Sequence, residues 1–340
     1  MPNYPTTTVP NSTITNLNKT MDAANAPALR PQQYYDRVLL EVLRQSEFLW
    51  DRFAQKRHLP KNAGTKTINF RKFDKLPPAL TPLTEGITPP GQIASKTNIT
   101  ANVSQYGDWM AFSDVVDFEE IDPVVQEYTK ELGLQARETM DIIVRDILVA
   151  GTTVRYAQDY GEDGKTEPAT PVVSRSEVKD RFNMRDVRKI VRDFRKNHVK
   201  PVYNGNYVCF ISPDTEFDIF DDGSFEKFMD YGGTNKPMLK NEIGTIFGVT
   251  FFRITNPKIF EGEGAGGVDV HTSIFIGRNA YGVVDVTGEG NAKMYIKGLG
   301  SAGTEDPLNQ RQSIGWKLNA FGAVRLEELA ICRYEHAVSA

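Results

Sequence analysis

Histidine, cysteine and paired carboxylates build most catalytic and metal sites, and here they stand far apart. The four histidines are His58, His198, His271 and His336, and the two cysteines are Cys209 and Cys332. No Cys or His pair has zinc spacing. A Gly-x-Ser-x-Gly elbow, a Walker loop and a His-Glu-x-x-His helix are all missing. The residues therefore assign no catalytic, cofactor or metal site, and the chain reads as a protein without enzymatic activity. Gly262-Glu-Gly-Ala-Gly-Gly267 has the Gly-x-Gly-x-x-Gly form. A dinucleotide loop needs a helix behind it, so that the helix N-terminus meets the pyrophosphate. The β-branched run from Val268 to Gly277 predicts a strand there instead, and Glu261 and Glu263 would repel phosphate. Asp221-Asp-Gly-Ser lacks the ligand spacing of a calcium loop and reads as a tight turn. Asp117, Glu119, Glu120 and Asp122 complement the dipole of a helix that follows them. His58 and His198 lie near Lys or Arg and read as surface residues.

The elements that must carry these residues belong to a globular chain. It has 340 residues, 40% hydrophobic and 25% charged, with a formal charge of −4. Wholesale disorder and coiled coil are excluded, and so is a global basic field for nucleic acid. No apolar run approaches the ~20 residues of a membrane span. The opening MPNYPTTTVPNSTITN has neither the basic nor the apolar stretch of a secretory signal. Two cysteines make no disulfide framework, which fits synthesis in a reducing interior. The length suggests about two domains.

Residues 1–29 hold only Lys19 and Asp22 as ionised side chains and read as a floppy terminus, the alternative being an arm that orders against a neighbouring subunit. From Gln32 to about Gln55, Tyr35, Val38, Leu39, Val42, Leu43, Leu49, Trp50 and Phe53 recur at helical spacing. Lys66–Phe73 and Thr97–Ser113 read as strands. Between them lie Pro77, Pro78, Pro82, Pro89 and Pro90 with Gly86 and Gly91. Proline forbids a regular ladder there, and a two-stranded ribbon is poor at standing alone. Asp122 and Pro123 open the longest predicted helix, to about Gly151, with a bend possible at Gly133. A second helix spans about Met184 to Lys196, its outer face lined by Arg185, Arg188, Lys189, Arg192, Arg195 and Lys196. That stripe reads as a solvated face or the partner of an acidic neighbour. Strands follow at Tyr207–Ser212, Glu242–Arg253 (a hairpin turning at Phe247-Gly248), Val268–Gly277, Ala280–Val286 and Lys293–Lys297. Asp214–Phe220 reads as a short helix, and Ser313–Ala330 as a long returning strand.

The runs YYDRVLLE, FAQKRHLPKNAGTKTINFRKFDKLPPALTPLTEGITP and QYGDWMAFSDVVDFEEIDPV, with NAYGVVDV and KGLGSAGTEDPLNQRQSIGWK near the end, occur in this order from Gln32 to about Leu326. Together they resemble the N-four-type phage major capsid proteins. The resemblance implies an α+β chain of the Hong Kong 97-type capsid fold. Its parts would be an N-terminal arm and first helix (1–60), an extended loop (61–113), a peripheral domain (114–184) with a spine helix (122–151), an axial domain (185–305) and a return strand (306–340).

The implied function is that of a major capsid protein self-assembling into the icosahedral head around phage double-stranded DNA. Hexameric and pentameric capsomers, a portal protein, and scaffold and decoration proteins are the implied partners. DNA is enclosed without sequence-specific binding, and no membrane is involved. The place is the virion capsid, after assembly in the bacterial host cytoplasm. Contacts between copies are expected at Pro82, Glu85, Gly86 and Pro89 in the loop, Tyr35 and Arg37 in the first helix, and Asp306 and Arg311. Gly86 and Gly151 are candidate flex points. Lys96 lies near the loop but has no evident cross-linking partner. The alternatives are an encapsulin-like nanocompartment shell and a nucleotide-dependent enzyme using the 262–267 loop.

Overall fold

The computed structural model describes residues 50–60, 65–73, 76–83, 85–88, 91–114, 124–161, 166–221, 242–286 and 292–339. Along the chain come β1 (Gln55–Leu59), β2 (Thr67–Phe73), β3 (Lys96–Asn102), β4 (Ser104–Ser113) and α1 (Val124–Val149). They are followed by β5 (Val154–Tyr156), α2 (Met184–Lys196), β6 (Tyr207–Ile211), α3 (Pro213–Asp221), β7 (Glu242–Ile246) and β8 (Val249–Arg253). The rest are β9 (Ile259–Phe260), β10 (Val270–Ile276), β11 (Tyr281–Val286), β12 (Lys293–Lys297), β13 (Arg311–Arg325) and β14 (Ile331–His336).

Seven strands form one sheet, ordered β5-β14-β10-β6-β8-β7, with β9 paired to β10. β6 and β10 are buried along their whole length, as strands covered on both faces must be. The period of two divides their side chains. Cys209, Ile211, Phe251 and Phe275 join the core under Val187, Ile190 and Phe194 of α2. Val208, Phe210, Phe252 and Ile274 enter the core shared with α1. Asn183 opens α2, its side chain accepting from the Arg185 N–H at 2.7 Å, a good N-cap.

The second sheet is ordered β1-β11-β13-β12, with β4 also on β13. α1 lies across it, its Leu132, Ala136, Val144 and Leu148 in one core with Ile314, Trp316 and Leu318. At 26 residues it spans about 39 Å and runs unbroken through Gly133. Its last turn holds no basic residue. Arg325 donates to the Ile147 carbonyl at 2.9 Å and Arg333 to that of Val149. Two cations from other elements thus satisfy carbonyls that a helix end leaves open.

A buried ionic group ties the chain at Trp50 and Asp51 to α1. Arg137 donates to Asp51 at 3.1 Å and to Asp141 at 3.2 Å, and the Trp50 N–H donates to Asp141 at 3.3 Å. Burial pushes the Asp141 carboxyl up to about 7, against the pull of Arg137. Asp51 is partly buried, which raises its pKa, but Arg137 and Lys56 outweigh that and hold it below the usual range.

Four sequence expectations change. The first predicted helix does not reach Gln55, because Trp50–Phe53 form turns and Gln55–Leu59 pairs in parallel with β11. Ladder bonds to an open sheet edge override the helical spacing. The rest of that helix, the arm, Tyr35, Arg37, Pro89 and the Asp117–Asp122 cluster lie outside the described residues. Thr97–Ser113 is two strands parted at Val103, whose N–H turns to the Lys66 carbonyl at 3.0 Å. The long strand stops at Arg325, because Leu326 and Glu327 both donate to the Ala280 carbonyl. The chain then crosses into β14 of the other sheet. β11 and β12, within 185–305, pair instead in the sheet under α1.

Candidate assembly surface

β2 and β3 form a two-stranded ribbon in register from Thr67↔Asn102 to Phe73↔Lys96. Its base is fixed. Phe70 and Ala101 are 3% and 1% exposed and close a small core on Val284 of β11. The Phe70 ring lies over Gly282, where an added Cβ would sit 2.7 Å from the ring. The glycine therefore gives the aromatic its seat. Arg57 stacks on the ring at 4.9 Å, and Lys72 pairs with Glu327. Gly322 of β13 does the same for the strand end, since a Cβ there would strike the Asn102 carbonyl at 2.1 Å.

Beyond Phe73 burial ends, and every described residue from 76 to 95 is exposed. Phe73, Leu76, Leu80, Leu83, Ile87 and Ile93 are 72%, 49%, 84%, 78%, 67% and 95% exposed. A run of apolar side chains held in water marks a surface awaiting a partner. Pro77, Pro78 and Pro82 keep the ladder from extending into this tip, and Gly86 sits at φ +77. The expected contact residues Pro82, Glu85 and Gly86 lie exposed on it. Asp306 and Arg311 are brought together elsewhere. Buried Asp306 accepts from the Arg311 N–H at 2.7 Å, and the Arg311 guanidinium donates to the Glu305 carbonyl at 2.9 Å. They close a turn leading into β13. Residue-by-residue reading missed Leu80, Leu83, Ile87 and Ile93. Their signal was present as apolar residues without period inside the proline-rich run.

The groups that tempt toward chemistry have other surroundings. The 262–267 loop is followed by β10, a strand. Ser212 Oγ and Asp214 both approach His271 at Nδ1, at 3.3 and 3.8 Å, whereas a nucleophilic triad uses both ring nitrogens. Both cysteines are buried, and burial pushes the Cys332 thiol up to about 12, so neither is a ready thiolate. Among the described residues no group of three His, Cys, Asp or Glu could hold a metal ion.

The sequence from 96 to 334 matches the family model described as phage capsid protein. The chain belongs to that family. It is a major capsid protein that assembles with further copies into the shell of a phage head, and its place is the virion. The fold is of the Hong Kong 97 type. It is similar to the capsid structure of cyanophage P-SCSP1u, with TM-score 0.62 at 13% identity over 86% of this chain and 90% of that one. It is also similar to the capsid of cyanophage Pam1, with TM-score 0.63 at 13% identity over 93% and 95%. The capsid of Helicobacter pylori bacteriophage KHP30 gives TM-score 0.60 at 11% identity over the full length of both chains. No curated protein sequence matches this capsid protein.

Proposed function

We propose that the ribbon is the limb by which each copy holds the next, and that copies close into hexameric and pentameric capsomers around double-stranded phage DNA. The observation that carries this reading is the contrast between an anchored base, with Phe70 3% exposed, and an apolar tip, with Ile93 95% exposed. A closed shell needs one surface to meet a different surface of its neighbour. A projecting limb supplies one, and many weak contacts then add through the lattice. Pro82, Glu85 and Gly86 contact the neighbour at the tip. Asp306 and Arg311 act from behind, shaping a turn whose Leu308 is 75% exposed. The peripheral unit is α1 with the sheet centred on β13, and the axial unit is α2 and α3 with the seven-stranded sheet.

A net charge of −4 suits a container, because a strongly basic lining would hold DNA by counterion release. A portal and separate scaffold or decoration proteins are the further partners, and assembly takes place in the host cytoplasm. The role is structural, without catalysis. Deleting Leu76–Gln92 is expected to leave a folded subunit that forms no shells in electron micrographs. Normal shells from that variant would remove the ribbon from the mechanism.

A further inference from the structure

Two features of the seven-stranded sheet remain unexplained by the ribbon: the basic face of α2 and the acidic glycine loop. Arg185 and Lys189 are held within the chain by Glu167, at 2.7 and 2.8 Å. The later turns of α2 differ. Arg188, Arg192, Arg195 and Lys196 are all exposed. Of these only Arg192 has an ion pair among the described residues, with Asp193. They surround a shallow hollow of about 620 Å³ floored by Val191 and Phe247. Arg188 stacks on the Phe247 ring at 5.3 Å. Phe247 and Gly248 both have positive φ, 52° and 82°. Positive φ at both central residues is what the two-residue turn of the β7–β8 hairpin requires, and that turn sets the Phe247 ring beside α2.

The opposite charge lies at the other end of the strands. Asp159, Glu177, Glu261, Glu263 and Asp269 are exposed there. The Ala265 N–H binds the Val178 carbonyl at 2.9 Å, tying the two loops into one surface. Two of its cations are engaged, Lys179 by Asp159 and Arg175 by Glu263 and Glu335, and Arg181 stands exposed at the same end. Asp180 carries a buried carboxylate oxygen without a partner among the described residues. Register fixes the separation. β10 begins and β14 ends at the acidic end, while β6 and β8 begin at the Phe247 end. Seven residues of β10 put roughly 20 Å between them, so the two patches cannot meet within one chain.

We infer that the basic hollow around Phe247 receives the acidic 261–269 loop of a second copy, joining seven-stranded sheets head to tail. Such a contact is heterologous and closes into a ring when the rotation allows. Opposite charges at its two halves fix register and reject like ends. The inference rests on the capsid assembly reading and deepens it.

The test is a charge exchange in the full chain. Arg188→Glu with Arg195→Glu reverses the hollow, and Glu261→Arg with Glu263→Arg reverses the loop. Arg188, Arg195 and Glu261 are exposed without an ion pair among the described residues, so circular dichroism and melting are expected to match wild type when they are reversed. Glu263→Arg also releases Arg175 and is expected to lower the melting point. The single exchange of Arg188→Glu with Glu261→Arg repeats the test without that cost. Each pair by itself is expected to cut shell yield at least tenfold, and the four together to restore most of it. Normal assembly by either pair, or no recovery in the fourfold variant, overturns the contact. Reversed hollows that assemble normally yet lose duplex DNA binding also overturn it and assign the hollow to nucleic acid. Wild-type protein that never forms rings or shells would sink the assembly reading itself, a result distinct from all of these.

Discussion

Truncating the ribbon tip isolates the energy that one copy lends its neighbour. Leu80 and Leu83 are 84% and 78% exposed within the subunit. Leu→Ala removes about three carbon groups, each worth about 0.8 kcal/mol on burial. Scaled by the exposure now present, each substitution costs the contact about 2 kcal/mol, and the pair about 4 kcal/mol. At about 1.4 kcal/mol per tenfold, the concentration at which assembly begins rises about a thousandfold. Light scattering and sedimentation over a concentration series read that onset directly. The isolated subunit is expected to unfold at the same urea midpoint as wild type, because these side chains touch little of their own chain. An onset shifted by less than about tenfold would refute the reasoning. So would a lowered urea midpoint, which would mean that the tip packs on its own subunit.

The base and the core answer differently. Phe70→Ala empties the seat over Gly282 and is expected to destabilise the subunit by about 3–5 kcal/mol. Hydrogen exchange would speed up across Thr67–Phe73 while α1 stays protected, and unchanged exchange there would contradict the anchoring role. His336 is fully buried, its Nδ1–H donating to the Ala337 carbonyl and its Nε2 accepting from Ser273, both at 2.9 Å. Burial lowers its pKa from 6.5 to about 4, so the folded state resists a proton that the unfolded chain accepts. The stabilisation is complete above pH 6.5 and is lost as pH falls toward about 4, a loss of about 3 kcal/mol. His271 is lowered in the same direction, again by burial. His336→Gln should therefore reduce, not abolish, the acid slope of the urea midpoint. An identical slope in the variant would exclude His336 as a source.

What the sequence made legible is what local pattern controls. α2 announces itself through an asparagine cap and an apolar stripe, and β6 through an unbroken apolar run closed by Pro213. β14 was hidden because its residues Ile-Cys-Arg-Tyr-Glu-His look half solvated. Glu335 is 0% exposed because two cations meet it: Arg333 of the same strand at 2.7 Å, and Arg175, 160 positions away, which donates to it at 2.8 and 2.9 Å. No window of sequence contains both partners. β1 was hidden for the opposite reason. Trp50 and Phe53 continue a helical spacing, and only the free edge of β11 decides otherwise.

The contact surfaces follow the same division. Proline spacing shows that residues 76–93 cannot extend a ladder, so a projecting tip is readable from composition. Which of its side chains meet a neighbour is not, because exposure belongs to the folded subunit. Asp306 and Arg311 illustrate this: charge and position suggest a surface pair, yet the buried carboxylate bonds the Arg311 backbone. The basic stripe on α2 shows it too. Six cations share one helix face in sequence, but Glu167 holds Arg185 and Lys189. Arg188, Arg195 and Lys196, which have no ion pair among the described residues, thereby remain around the hairpin turn at Phe247, with Arg192 on Asp193. A surface for another copy is thus defined by what the chain leaves unpaired after folding, and that remainder emerges only when distant partners have met.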